Sequence, residues 1–219
     1  MAAVFPSLLF AKATRFDFRD VGGRNLVSFV SDALLEKTVG LSSSVGGWIE
    51  VDLENLAGPI KGELFMDTRT FQTLIDSRNE LVREKLAAEN PLATFIPLKV
   101  KKSSKKILND REAMTLQMEG TLSIRGVSLP QNVEAKLTYL KETEVTKRRL
   151  LGNLLKVSAR FEIDPAQFQV TVAPIQQPFF ASKIQLTVDL FGSDLSPSPS
   201  LGDVLIKPSA SPREPTSQK

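Results

Sequence analysis

From Leu155 to Ile163 the chain is apolar at every second residue: Leu155, Val157, Ala159, Phe161 and Ile163 alternate with Lys156, Ser158, Arg160 and Glu162. A period of two sends the two sets to opposite faces of an extended chain, whereas a helix would need apolar residues three and four apart. The stretch therefore predicts a strand with one dry and one wet face. The same alternation runs through Ile184, Leu186, Val188 and Leu190, and through Val133, Ala135, Leu137 and Tyr139. It continues through Met114, Leu116, Met118, Leu122 and Ile124, where Gly120 takes an apolar slot suited to a bend or a close approach. Ile60, Gly62, Leu64 and Met66 repeat it, weaker versions cover Val45 to Asp52, Asn25 to Ser31 and Thr94 to Lys101, and Arg15 to Phe18 adds a short first strand. About eight to ten strands follow from pattern alone.

Strands of this kind, joined mostly by short turns, suit an antiparallel barrel or sandwich in which the dry faces are buried together. Arg125-Gly126-Val127-Ser128-Leu129-Pro130 lies between two of the clearest strands and reads as a hairpin, with Gly126 available for positive φ. One segment breaks the period. Ser77 with Glu80 three residues on resembles a capping box, Val82 and Leu86 share a face, and Asn90-Pro91 ends the run. About three turns of helix are expected there, as a lid or plug over an open barrel end.

Composition narrows the chemistry. The 219 residues include no Cys and no His, which removes thiol nucleophiles, His general bases and Cys/His metal sites. No spacing of carboxylates, Lys, Tyr or hydroxyls assembles a catalytic set, so the expectation is a binding protein and not an enzyme, with no metal. The 28 basic residues face 25 acidic ones, a net charge of +3 that leaves no nucleic-acid footprint. Ala2 to Phe10 is apolar and is followed by Ala11-Lys12-Ala13, a small-x-small pattern of the kind cleaved after export. An export signal, with a periplasmic or secreted destination, and an ordinary leader on a cytoplasmic chain are the two readings. Ser193 to Lys219 is rich in Ser and Pro and too poor in apolar residues to bury, so it reads as a solvated tail, with Asp203 to Ile206 as its one short apolar stretch. The expected division is a leader over residues 1–14, one barrel domain over 15–192 and a disordered tail over 193–219.

The run Gly120-Thr121-Leu122-Ser123-Ile124-Arg125-Gly126-Val127-Ser128-Leu129-Pro130 resembles the G-x-L-x-I-R-G-V-x-x-P hairpin of the YceI-like family of polyisoprenoid-binding proteins. Gly62 to Asp67, followed by Ser77-Arg78-Asn79-Glu80-Leu81, is similar to that family's strand, loop and R-[DN]-x-H-[LM] helix start, with Leu81 where the family has His. Pro91 to Phe95 resembles its Y-P-x-I-x-F strand entry, with Asn90 in place of the aromatic residue. Val27-Ser28-Phe29 and Gly46-Gly47-Trp48-Ile49-Glu50-Val51-Asp52 resemble its V-x-F and F-x-G-x-[IL]-x-[LVF]-D strands. The resemblance covers residues 15–191 in order, and the loops Lys101 to Glu112 and Lys141 to Asn153 are longer than is typical.

What the resemblance implies is an all-β fold, an extended lipocalin-like antiparallel β-barrel of about eight strands with one short crossing helix. Such proteins are usually exported to the periplasm and often dimeric. Their bore holds a polyisoprenoid or a similar fatty, long-chain amphiphile, carried or sequestered without catalysis and with no further cofactor. The inward positions of the predicted strands are compatible with that use. Lining candidates are Val27, Phe29, Ile49, Leu64, Met66, Phe95, Met118, Leu122, Val133, Leu137, Val157, Phe161, Leu186 and Val188. Trp48 has the opposite parity to Ile49 and faces outward, toward a subunit contact or a membrane surface. In an up-and-down barrel alternate connections share an end, so Lys101, Lys102, Lys105 and Lys106 should meet Arg148 and Arg149 at one rim, as a collar for an anionic head group or a membrane. The alternative function is a filled, ligand-free barrel that engages a protein through its basic loops or tail. Bore volume separates the two.

Overall fold

The sheet closes on itself because its first and last strands meet. In the computed structural model, which describes residues 13–20, 22–87 and 90–195, ten antiparallel strands form one sheet: β1 (Thr14–Asp17), β2 (Leu26–Asp32), β3 (Lys37–Ser42), β4 (Val45–Val51), β5 (Lys61–Asp67), β6 (Leu92–Ser103), β7 (Ala113–Ile124), β8 (Val127–Leu140), β9 (Leu154–Ile163) and β10 (Ile184–Ser193). Neighbours from β4 to β10 follow chain order. β1 lies beside β4 and touches β10 at Asp17 and Ser193, which closes an eight-stranded ring. The β2–β3 hairpin continues the wall where β1 stops, pairing Leu26 to Ser31 with Ile184 to Asp189 of β10. Buried Asn25 joins the two pieces: its Oδ1 accepts from Phe191 N at 2.8 Å, and its Nδ2 donates to Phe18 O at 3.5 Å and Phe191 O at 3.4 Å.

β7 shows how the sequence period becomes a wall. Met114, Leu116, Met118, Gly120, Leu122 and Ile124 are buried and the residues between them are not. On β6 the register against β7 shifts between Pro97 and Lys99 and again between Val100 and Lys102. Each bulge inserts one residue and changes which parity faces inward, so Phe95 and Val100 both line the interior. The β7–β8 turn is the expected hairpin. Arg125 at φ 55° and Gly126 at φ 81° are both left-handed, the geometry of a two-residue type I′ turn.

The expected helix is α1 (Asp76–Ala87), which begins one residue before Ser77 and so places Ser77 in its first turn and not at its cap. Asn79 is buried and accepts from Thr73 N at 2.6 Å, while its Nδ2 donates to Gln72 Oε1 at 2.9 Å. These bonds hold the chain that enters the helix.

Three expectations are corrected. β3 lies outside the expected strands: its two apolar residues, Val39 and Leu41, do alternate, but on the exposed side. The β9–β10 connection is no short turn: residues 164–183 contain two 3-10 segments, Pro165–Phe168 and Pro174–Phe179. At the boundaries, Thr14 belongs to β1 and Ser193 to β10. Ser193 is fully buried and donates through its hydroxyl to Leu151 O, and Asp194 accepts from Asn153 N at 2.8 Å. The apolar leader and the Asp203 to Ile206 stretch fall outside the described residues.

Candidate functional site

The ring encloses a cavity of about 1660 Å³. All fourteen lining candidates, from Val27 on β2 to Val188 on β10, border it. The period-two reading brought them together because every strand of a closed barrel sends alternate side chains to one interior. The pattern missed a second set. Phe71 and Ile75 precede α1, Leu81, Val82 and Leu86 project from it, and Phe168, Val170, Phe179 and Phe180 come from the β9–β10 connection. Val82 and Leu86 pack with Val27, Phe29, Met66 and Phe71, so the helix face read from their spacing does meet the cavity.

The two ends of the barrel differ. At one end the loop after β4 and the loop after β6 bond to each other: Leu56 N donates to Lys106 O at 3.0 Å and Leu108 N to Leu53 O at 2.9 Å. This sends Leu56 and Leu108, both almost wholly buried, into a plug with Phe16, Phe18, Leu155 and Leu190. At the other end α1, the β2–β3 turn and residues 164–183 surround an opening. Leu35 N donates to Pro178 O at 2.9 Å, Ala181 N donates to Ser31 Oγ at 3.1 Å, and Arg78 pairs with Glu36 across the gap between helix and hairpin. Polar groups of the lining gather here: Ser31, Asp32, Glu36 and Thr38 on the hairpin side, Ser77, Arg78 and Lys85 on the helix, Asp164 and Lys183 across from them.

The expected basic collar joins six cations at one rim, and the structure brings together only the two connections themselves. The two loops do meet, since Arg111 N donates to Tyr139 O at 2.8 Å and Lys141 N to Asp110 Oδ1 at 2.7 Å. They meet at the plugged end. Lys105, Lys106, Arg148 and Arg149 lie in these connections, Lys101 and Lys102 lie within β6 beside Met118 and Gln117 of β7, and none of the six borders the cavity. Acidic neighbours also offset part of their charge. Lys101 pairs with Glu119 at 2.7 Å, Lys105 with Glu112 at 2.6 Å and Arg149 with Asp20 at 3.1 Å. Burial pushes the Asp20 carboxyl up, but the Arg24 hydrogen bonds, the Gly22 amide and the Arg149 charge outweigh it and hold the group below the usual carboxylate range.

Trp48 lies on the outer face as its parity requires, with the Arg15 guanidinium 4.2 Å from its ring centroid. Near the mouth, Asp67 caps the 3-10 turn Thr68–Thr70 and takes both nitrogens of Arg69, Nε at 2.9 Å and Nη2 at 2.7 Å. Burial raises its pKa and the paired arginine and the Arg69 amide lower it further, so the carboxyl ends below its ordinary value. Among the described residues no cluster of three or more Asp, Glu, His or Cys is placed to hold a metal, and no helix is long and apolar enough to cross a membrane.

A family model for the YceI-like domain matches residues 22–191. No curated protein matches the chain. Among solved structures, a polyisoprenoid binding domain from Saccharophagus degradans, implicated in plant cell wall breakdown, is 16% identical, with a TM-score of 0.61 over 83% of this chain and 99% of that one. BcnA of Burkholderia cenocepacia is 17% identical, with a TM-score of 0.60 over 77% and 96%. The YceI protein of Campylobacter jejuni is 20% identical, with a TM-score of 0.50 over 67% and 79%. At these identities the likeness is one of fold.

Proposed function

This chain belongs to the YceI-like family, and we propose that its barrel binds a polyisoprenoid or a similar long-chain amphiphile, with the chain in the bore and the polar end at the mouth beside α1. The observation that carries the reading is the cavity itself. At about 1660 Å³ it exceeds the roughly 300–1,000 Å³ of ordinary small-molecule pockets. Its deep wall is aliphatic, Met and Phe, with polar groups concentrated at the open end. That distribution matches an amphiphile. A barrel filled by its own side chains, the premise of the interaction-module alternative, would leave no such space.

The energetics favour a slender apolar ligand. Burying a five-carbon isoprene unit contributes roughly 3–4 kcal/mol before entropic costs, at about 0.8 kcal/mol per carbon, so a few units suffice for tight binding. Met66 and Met118 in the wall adapt to chains of differing shape. The neighbour from Saccharophagus, described as a polyisoprenoid binding domain, supports the choice of ligand class. Native mass spectrometry of the purified protein, followed by solvent extraction, tests the reading. A retained prenyl or acyl lipid is expected, and a protein that stays lipid-free and takes up no added prenol would overturn it.

A further inference from the structure

We propose that the mouth of the cavity is a membrane-docking surface, in which Leu34, Leu35, Leu74, Ile75, Ile175 and Phe179 insert into a neutral lipid bilayer and bring the bore into contact with its apolar layer. The proposal rests on the reading of the cavity as a lipid site and adds the route by which lipid enters. Among the described residues, these six are exposed apolar side chains gathered at one end of the barrel, with Leu34 at 87%, Leu74 at 94% and Ile175 at 84% exposure. Single exposed leucines are ordinary, whereas a set converging on one opening marks an interaction site.

They come from three separate segments that the fold ties together. Leu34 and Leu35 form the β2–β3 turn, Leu74 and Ile75 lead into α1, and Ile175 and Phe179 belong to the 3-10 turn Pro174–Phe179. The Leu35–Pro178 backbone bond joins the first segment to the third, and the Glu36–Arg78 ion pair joins it to the helix. Leu34, Ile75 and Phe179 also line the cavity, so apolar surface runs without a break from the outside into the bore.

Two observations select a bilayer as the occupant. Lys37 pairs with Asp32 at 3.3 Å, Lys183 with Glu162 at 2.8 Å and Arg78 with Glu36, so at these three cations the rim offers no unpaired charge to an acidic or a basic protein. The ligand that fits the bore is itself insoluble in water, and an apolar rim seated in the bilayer interface lets it pass without exposure to solvent. Both described chain ends, Ala13 before β1 and Leu195 after β10, leave from the opposite, plugged end.

The test is flotation of the full chain with phosphatidylcholine vesicles, beside binding of farnesol delivered as a dilute monomer. The wild type is expected to float at low and high salt alike, without need of anionic lipid. The triple variant Leu35→Ser/Leu74→Ser/Ile175→Ser, three exposed residues outside the cavity lining, should lose vesicle binding about tenfold or more and bind farnesol as before. Val145→Ser/Leu151→Ser, at the plugged end, should float like the wild type. A wild type that binds farnesol but does not float, or floats only with anionic lipid, overturns the docking surface. So does a dimer that the triple variant dissociates in the absence of flotation, since a second copy would then cover the rim. A wild type that floats through these residues yet binds no farnesol keeps the docking surface and overturns the reading of the cavity.

Discussion

The ring of Phe95 on β6 occupies the space that a side chain at Gly120 on β7 would need: a Cβ there would stand 2.4 Å from the ring's Cζ and 2.6 Å from the carbonyl oxygen of Ile96. The apolar slot left to glycine in an otherwise regular strand is thus the seat of an aromatic side chain that borders the cavity. The family-like hairpin motif begins at this glycine, so one residue serves both the strand pairing and the shape of the bore.

Gly120→Ala is therefore expected to lower stability by about 1–3 kcal/mol, the cost of overpacking a closed site. Because one of the two obstacles is backbone, changing Phe95 to a smaller residue in the same chain should not restore the loss. Gly126→Asn serves as the control, since nothing lies within 4 Å of a Cβ at that position and Asn tolerates left-handed φ. Urea melts of the three variants check this. Equal losses at 120 and 126 would show that the Phe95 contact contributes nothing.

Leu122→Arg is expected to abolish lipid retention. Leu122 is buried on the cavity wall, and a guanidinium there would be an unpaired charge in an apolar bore. Thr138→Lys, on the alternate parity of β8 with Leu137 facing inward, should retain lipid as the wild type does. Circular dichroism must show that the arginine variant is folded. If a folded Leu122→Arg protein still co-purifies with lipid, the ligand lies elsewhere.

How far the sequence could be read depends on which side of each strand carries the apolar residues. β7, β8 and β9 alternate cleanly, and their cavity residues were legible one by one. β3 shows the reverse: Thr38, Gly40 and Ser42 face inward and are buried, while Val39 and Leu41 face out. Its inward side is small and polar because the ring of Phe29, directly across in register, lies 2.1 Å from where a Cβ at Gly40 would be. The apolar group that fills β3's share of the wall is borrowed from β2, and the alternation that remains, Val39 and Leu41, marks the outer face. The β9–β10 connection was opaque for a different reason. Pro165, Pro174 and Pro178 set a series of 3-10 turns, and Phe168, Phe179 and Phe180 fall at no fixed spacing among them. Proline-punctuated aromatics without a period are the one signal that such a segment wraps a cavity. Topology puts the β6–β7 and β8–β9 connections at one end of the barrel, but nothing in the strand pattern says which end of a barrel is plugged. That is decided by Leu56 and Leu108 in two loops.

Acid should weaken the fold through its buried carboxylates. Asp67 and Asp20 both sit below their ordinary pKa in the folded protein, held by Arg69 and by Arg24 and Arg149. Above about pH 4 each is ionised in the folded and unfolded chains alike, and its stabilising contribution is complete. As pH falls below about 4 the unfolded chain takes up protons first, so stability declines until the folded-state pKa values are passed. Asp67→Asn should be less stable than the wild type at pH 7 and lose less on going from pH 5 to pH 3. Urea midpoints at three pH values measure the difference. Parallel curves for the two proteins would remove the Asp67–Arg69 pair as a source of the pH dependence.

The lysines of the β6–β7 connection provide a test of where the ligand enters. Lys105 and Lys106 lie in the connection at the plugged end, where Leu56 N donates to Lys106 O, while Lys101 and Lys102 lie on β6 beside Met118 and Gln117 of β7; Lys101 and Lys105 are paired with Glu119 and Glu112. Steering by exposed charge fades beyond about 8 Å at physiological ionic strength, and even Lys101 and Lys102, beside Met118 and Gln117, are six or more residues of β7 away from its mouth end at Ile124. Replacing the four lysines with Ser should therefore leave the on-rate for a phosphorylated prenol unchanged at moderate salt. Reversing Arg78 and Glu36 individually, at the mouth, should alter that rate in opposite directions, because each variant leaves its former partner's charge unbalanced. Stopped-flow capture of a fluorescent prenyl phosphate across a salt series distinguishes the two ends. A slower on-rate confined to the lysine variant would place entry at the plugged end and refute the assignment of the mouth.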